Sequence, residues 1–285
     1  MAPSRVHSAG NLKWKLDYSS VAGVLIALSS VVAGLLLEGG SIADIRQGAA
    51  LLIVLGGTLG AVLFTTPTDL ILRTLRHLPR LFYYRETDNR GQAELIATLA
   101  VKARRTGVIS LEDEIRDDTD PFLRRGLELA VDGFSLQECS QSLELEIELT
   151  ERAAEAEAQV LEAAGGYAPT MGILGAVLGL IQVMKHLENI DEVGRGIAVA
   201  FVATLYGIGF ANFVFIPAAG KMRARSRASI IHQELISEGI AAILEGQTPS
   251  LIRKRLRAYQ IGSGERVQHR RSAGPPTLKE AAQQE

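Results

Sequence analysis

Four runs of apolar residues, each close to twenty long, are what most constrain this chain: Val21–Leu37, Gln47–Pro67, Ala164–Met184 and Gly196–Ile216. An α-helix needs about 20 such residues to cross the roughly 30 Å hydrocarbon layer of a bilayer. The segments between the runs are heavily charged. Of the chain's 32 acidic residues, 20 lie between Pro67 and Ala164 and none lies inside a run. That separation excludes a single soluble globule, although the apolar content of 47% would suit one. Lys13 and Lys15 ahead of the first run resemble the flank of a cleaved signal peptide. A second run one short turn later, with two more to follow, makes a polytopic membrane protein the better reading.

Other function classes fall away on composition. Cys139 is the single cysteine of the 285 residues, so no intramolecular disulfide staples the fold. A formal net charge of −2 argues against a nucleic-acid partner, which usually demands a basic domain. The sequence has no P-loop, no His-Glu-x-x-His and no Gly-x-Ser-x-Gly, so it does not read as an enzyme and implies no cofactor.

Lys and Arg near the span ends set the direction. Arg73, Arg76, Arg80 and Arg85 follow span 2, and Lys221, Arg223, Arg225 and Arg227 follow span 4. The loop between spans 1 and 2 has only Arg46, and Lys185 and Arg195 in the loop between spans 3 and 4 are offset by Glu188, Asp191 and Glu192. Both termini are therefore expected in the cytoplasm. The fold class expected is an all-α membrane protein: four transmembrane helices, a helical cytoplasmic domain between spans 2 and 3, and a cytoplasmic C-terminal helix. In numbers, residues 1–19 form an N-terminal cytoplasmic segment, 20–67 spans 1 and 2, and 68–163 the cytoplasmic domain. Residues 164–217 form spans 3 and 4, 218–260 the C-terminal helix, and 261–285, with Gly-Ser-Gly and Gly-Pro-Pro, a disordered tail.

Within the cytoplasmic domain a helix is expected over Gln92–Arg105, stopped by Thr106-Gly107. The next should start at Ser110 with Asp113 in the reciprocal capping position, and another at Asp120-Pro121. Ser135 with Glu138 opens a long helix that runs unbroken into span 3.

No Asp, Glu, Lys, Arg or His lies inside any of the spans so drawn. Proton and ion pathways normally use a titratable group at membrane depth. If this chain lies on such a pathway, the carboxylate comes from another chain. Small residues recur at Gly56-x-x-x-Gly60, Gly175-x-x-x-Gly179 and Ala203-x-x-x-Gly207, spacings that let helices approach closely. The pattern does not say which of the three packs internally and which meets another chain. Pro169 opens span 3 and Pro217 closes span 4, both toward the cytoplasmic side and near one level. Each frees a backbone carbonyl that needs another partner or a wet cavity. Polar side chains in the spans are few, Thr58, Thr170, Gln182, Thr204 and Tyr206 among them.

Three stretches resemble the flagellar motor stator A-subunits, the MotA/PomA family. They are Tyr167-Ala-Pro-Thr-Met-Gly-Ile-Leu-Gly-Ala-Val-Leu-Gly-Leu, Ala203-Thr-Leu-Tyr-Gly and Glu238-Gly-Ile-Ala-Ala-Ile-Leu-Glu-Gly-Gln-Thr-Pro. With the span layout, the similarity covers about residues 18–260. The resemblance implies a homopentamer around a dimer of a MotB-like stator B-subunit, whose single helix brings the ion-binding aspartate. It implies the bacterial inner membrane and torque on a FliG-like rotor switch protein of the C-ring. Pro169 and Pro217 would couple ion passage to movement, with Thr170, Ala176, Thr204 and Tyr206 along the ion path. Arg104, with Arg105, matches the family's basic rotor-facing position, and Glu112 the acidic one. Sodium-driven members tend to carry threonine where this chain has Ala176, so protons are the expected ion and sodium the alternative. An ExbB/TolQ-type energy transducer shares the span 3–span 4 core, but such proteins generally have three spans and an outward N-terminus. A passive membrane scaffold would leave the paired prolines without a role.

Overall fold

The computed structural model describes residues 15–43, 45–84, 88–116 and 119–260. Residues 1–14 of the N-terminal segment, Arg85 and the tail 261–285 lie outside the described residues. Among the described residues the regular structure is helical apart from a two-residue antiparallel pairing of β1 (Lys15–Leu16) with β2 (Tyr83–Tyr84). In order, the helices are α1 (Tyr18–Leu37), α2 (Gly48–Thr65), α3 (Thr68–His77), α4 (Asn89–Thr106), α5 (Pro121–Val131), α6 (Leu136–Lys185), α7 (Ile190–Leu244) and α8 (Pro249–Gln260). Four of them, α1, α2, α6 and α7, are long and apolar enough to cross a membrane.

Two compact units emerge. One comprises the described parts of Lys13–Arg85 with Arg152–Arg225, and so contains all the apolar spans. Local chemistry fixes its ends. Asp17 caps α1 by accepting the Ser20 amide (3.3 Å) and the Ser19 hydroxyl (2.6 Å). Thr66, ahead of Pro67, is extended (φ −131°, ψ 136°), because the proline ring disfavours a helical residue before it. Span 2 therefore stops there and α3 begins beyond the proline.

The other unit comprises the described parts of Glu86–Glu151 with Ser226–Glu285. Its core is aliphatic: Ile96 of α4, Leu123 and Leu127 of α5, Ile236 and Ile240 of α7, and Leu256 of α8 are fully buried. Gly239 lets α7 approach α4, since a Cβ there would stand 2.7 Å from Ile96 Cγ2. Asp120 caps α5, accepting the amides of Phe122 (2.9 Å) and Leu123 (3.1 Å). The glycine stop appears at Gly107 (φ 89°) and the reciprocal cap at Ser135 and Glu138, with 2.9 Å and 3.3 Å bonds.

Two local expectations need correcting. No α-helix starts at Ser110. Val108–Glu114 forms a 3₁₀ run, and the Ser110 hydroxyl donates to Gly107 O (2.7 Å) instead of capping. The Ser110 amide also donates to Gly107 O (3.2 Å), an i→i−3 bond that sets Ser110 inside the 3₁₀ turn, and Asp113 meets Lys102 (3.7 Å). Pro217 does not close a helix either. A π-helical turn over Ala211–Phe215 precedes it, and α7 continues to Leu244. The wider turn gives the proline ring the space it would otherwise take from a preceding carbonyl.

Candidate functional site

Spans 3 and 4 pack along a seam of glycine. A Cβ on Gly172 would lie 2.9 Å from Ala203 O, and one on Gly207 only 2.6 Å from Ala168 O. Further along, a Cβ on Gly175 would lie 2.7 Å from Ala203 Cβ, and one on Gly179 2.8 Å from Gly196 O. Span 2 joins through Gly57, where a Cβ would meet Met171 Sδ at 2.6 Å, and through Ile53 beside Gly175. The three small-residue motifs are thereby divided. Gly175/Gly179 and Ala203/Gly207 serve internal packing. Gly60 has nothing within 4 Å, so its face of span 2 is free of this chain.

The seam also sets the register of the prolines. Gly207 and Gly172 are opposite one another, and Gly165 faces Ile216. Pro217 therefore lies on the order of 10 Å beyond Pro169 along the helix pair, at 1.5 Å per residue. They do not share a level. The apolar edge of the sequence hid this offset, because α7 carries on past Pro217. Pro169 sits inside α6 and is half-buried, whereas Pro217 is exposed.

The hydroxyls along the seam bond back to their own helices. Thr204 donates to Ala200 O (3.2 Å) and Thr170, which is exposed, to Tyr167 O (2.7 Å). Each oxygen keeps its acceptor lone pairs. Ala176 is half-buried and brings no oxygen. Tyr206 is turned elsewhere: its hydroxyl donates to Ile45 O, in the loop between spans 1 and 2. Thr58 is buried in span 2 with no partner for its hydroxyl. The sequence reading passed over Asn212, an exposed amide in the π-helical turn that donates to Ile208 O (2.9 Å). An amide a few residues before a proline in an apolar run was the available signal.

The same unit contains a charge cluster that the sequence reading missed. Asp17 is held by Lys221 and by Arg225 (3.1 Å), which also donates to Tyr83 O (2.7 Å). Arg223 makes a fork onto Glu155 (2.7 Å and 2.9 Å) and reaches Glu162 (2.5 Å). The Lys221 ammonium, with the Ser19 hydroxyl, holds the Asp17 carboxyl well below its ordinary range. Glu155 and Glu162 push the Arg223 guanidinium higher still. His77 Nδ1 lies 2.6 Å from Glu157, a buried carboxylate. Partners so far apart in sequence leave no local signature.

In the second unit Arg104 and Arg105 are exposed in the last turn of α4 and have no ion-pair partner among the described residues. Arg105 lines a shallow groove with Lys102, Thr98 and Thr106 of α4 and Arg253 of α8. Glu112 is exposed and lines a different hollow, with Ile115, Glu128, Val131 and Asp132. Arg105 and Glu112 thus line separate hollows, each among residues of its own charge. Among the described residues no cluster of three or more His, Cys, Asp or Glu could hold a metal.

These features define a polytopic helical membrane protein built on a glycine-packed pair of spans that carries no charge of its own at membrane depth. The MotA/TolQ/ExbB proton channel family model matches residues 114–257, and the motility protein A N-terminal model matches residues 21–107. Motility protein A of Bacillus subtilis is 37% identical over 249 residues, 86% of this chain and 91% of that protein. The structure of the flagellar MotAB stator complex from Bacillus subtilis contains a chain of 35% identity and TM-score 0.80, matching over 90% of this chain and 100% of that one. A chain of the C. jejuni MotAB structure gives TM-score 0.81 at 29% identity, over 86% and 96%. The chain belongs to the MotA/TolQ/ExbB proton channel family.

Proposed function

We propose that this chain is the A-subunit of a flagellar motor stator and, with a B-subunit, converts an ion gradient into torque. The observation that carries the reading is the span 3–span 4 pair: closely packed, kinkable at Pro169 and Pro217, and without a titratable group in the apolar segments. Such a pair needs a carboxylate from a partner helix. A MotB-like B-subunit is the partner that would bring it, inside a homopentamer of this chain. The assembly sits in the bacterial inner membrane with both termini of this chain in the cytoplasm, as the Lys and Arg distribution supports. No covalent chemistry is assigned to the chain. Its work is mechanical, drawn from a gradient worth about 2.3 kcal/mol per charge per 100 mV.

Protons are the ion we assign, because Ala176 offers no oxygen. Arg104, Arg105 and Glu112 are assigned to the FliG-like rotor protein, supported by their exposure and by the absence, among the described residues, of ion-pair partners for the two arginines. The test is swimming speed against sodium concentration at fixed pH, in a stator-less host expressing this chain with its cognate B-subunit. Speed should persist without sodium and collapse with a protonophore. A speed that rises and saturates with sodium would overturn the ion assignment. Charge reversal at Arg104 and Glu112 should impair torque while the complex still assembles; unchanged motility would remove them from the rotor face.

A further inference from the structure

We propose that the outer face of α3 is a binding site for anionic phospholipid headgroups, with Arg73 and Arg76 as the ligating residues. Two cationic clusters follow spans in this chain, and they are used differently. After span 4, Lys221, Arg223 and Arg225 are all committed to Asp17, Glu155 and Glu162. After span 2, Arg73 and Arg76 are exposed and have no carboxylate partner among the described residues. Asp69, one turn ahead of Arg73, is exposed as well and makes no ion pair with it.

Helix α3 has two distinct sides. Ile71 and Thr74 are buried, Ile71 clustering with Val62, Val160 and Ala164, and His77 bonds Glu157. That side is occupied. On the other, Leu72 and Leu75 are 51% and 54% exposed, directly beside the arginines. Because α3 starts at the Pro67 turn that ends span 2, it stands at the edge of the hydrocarbon. Leucines and unpaired arginines sharing one face at that depth make an interfacial helix: the leucines enter the acyl boundary and the guanidiniums meet phosphate. Phe64, 92% exposed at the end of span 2, adds an aromatic group in the same region. Of the nearby carboxylates that a second copy might use, Glu155, Glu157 and Glu162 are already engaged, which leaves Asp69 alone against two arginines. Charge complementarity therefore selects the anionic leaflet.

The inference rests on membrane insertion of span 2 and would survive failure of the stator reading, since its readout is lipid retention and not motility. The chain is purified in the assembly it forms in its own membrane, with whatever partner it retains, and titrated with phosphatidylglycerol or phosphatidylcholine, and bound lipid is counted by native mass spectrometry. The wild-type complex should prefer phosphatidylglycerol. The Arg73→Gln/Arg76→Gln variant should lose about thirty-fold of that preference, from about fivefold per surface arginine. Arg73→Lys/Arg76→Lys should retain most of it, and Arg257→Gln should retain all of it. Should the double variant not assemble, Arg76→Gln alone is read in the same way for a fivefold loss. An unchanged preference in the glutamine variants would overturn the site. So would competition by inorganic phosphate alone, or a disulfide between two copies through Leu72→Cys.

Discussion

Span 1 and the span 3–span 4 pair are alike in hydropathy and opposite in packing. Span 1 has the highest mean hydropathy of the spans, 2.4, yet none of its residues is buried. The helices carrying spans 3 and 4 have values of 1.5 and 2.0 and form a seam where backbone touches backbone. In a bilayer, apolar side chains gain nothing by leaving lipid for another apolar helix. Close packing therefore goes to helices with small residues in register, and the most apolar helix is left at the edge. Span 1 is instead tied at its N-terminal end, through Asp17 to Lys221 and Arg225.

The seam is where a single methyl group should do most damage. Gly207→Ala would place its Cβ against Ala168 O and Gly172 Cα, backbone atoms that cannot rotate away. We expect a loss of about 3 kcal/mol or more, seen as failure to accumulate folded protein in the membrane. The same change at Gly60, where there is open space, should leave the thermal stability of the chain unchanged or raise it by up to about 1 kcal/mol. Equal effects at the two positions would dissolve the contrast between the seam and the outer face of span 2.

Next in size comes the tether of span 1. Asp17→Asn should cost about 1.5–3 kcal/mol, the worth of hydrogen bonds to a charged group. Its pH dependence carries the sign. The folded carboxyl titrates below its ordinary value of 3.8, so its contribution is complete above that value and is lost as pH falls through the folded pKa. Melting temperature should be insensitive to Asp17 from about pH 8 to pH 5 and should fall more steeply in wild type than in Asp17→Asn below about pH 4. A wild-type acid limb identical to that of the variant would show that Asp17 is not held by these cations.

The smallest effect belongs to the loop between spans 1 and 2. Tyr206→Phe removes the one bond from span 4 to Ile45 O and should cost about 1 kcal/mol. Amide exchange around Ile45 and Arg46 should quicken while the seam stays protected. Unaltered exchange there would return Tyr206 to the ion path expected from the sequence.

How much of this could be read from the chain alone depended on distance along it. The caps at Asp120 and Ser135 and the glycine stop at Gly107 are local, formed among neighbours a few residues apart, and the sequence announced them. Ser110 carried the same local signal, yet its amide and hydroxyl both turn back to Gly107 O, which makes it part of a 3₁₀ turn. At the candidate site, Pro169, Thr170, Ala176 and Thr204 could be named from motifs, but the direction of the Tyr206 hydroxyl could not. Its partner lies 161 residues away.

By itself, the sequence determined the membrane class and the number of apolar spans, and it left those spans without a titratable group. Those follow from counting apolar and charged residues against the thickness of a bilayer, a one-dimensional property. Only the tertiary structure decided which glycine motif packs inward and how far Pro217 is offset from Pro169. It also decided which of two similar cationic clusters is neutralised within the chain. Each of those depends on which helix faces lie against each other, and spacing along a single helix does not encode its neighbour.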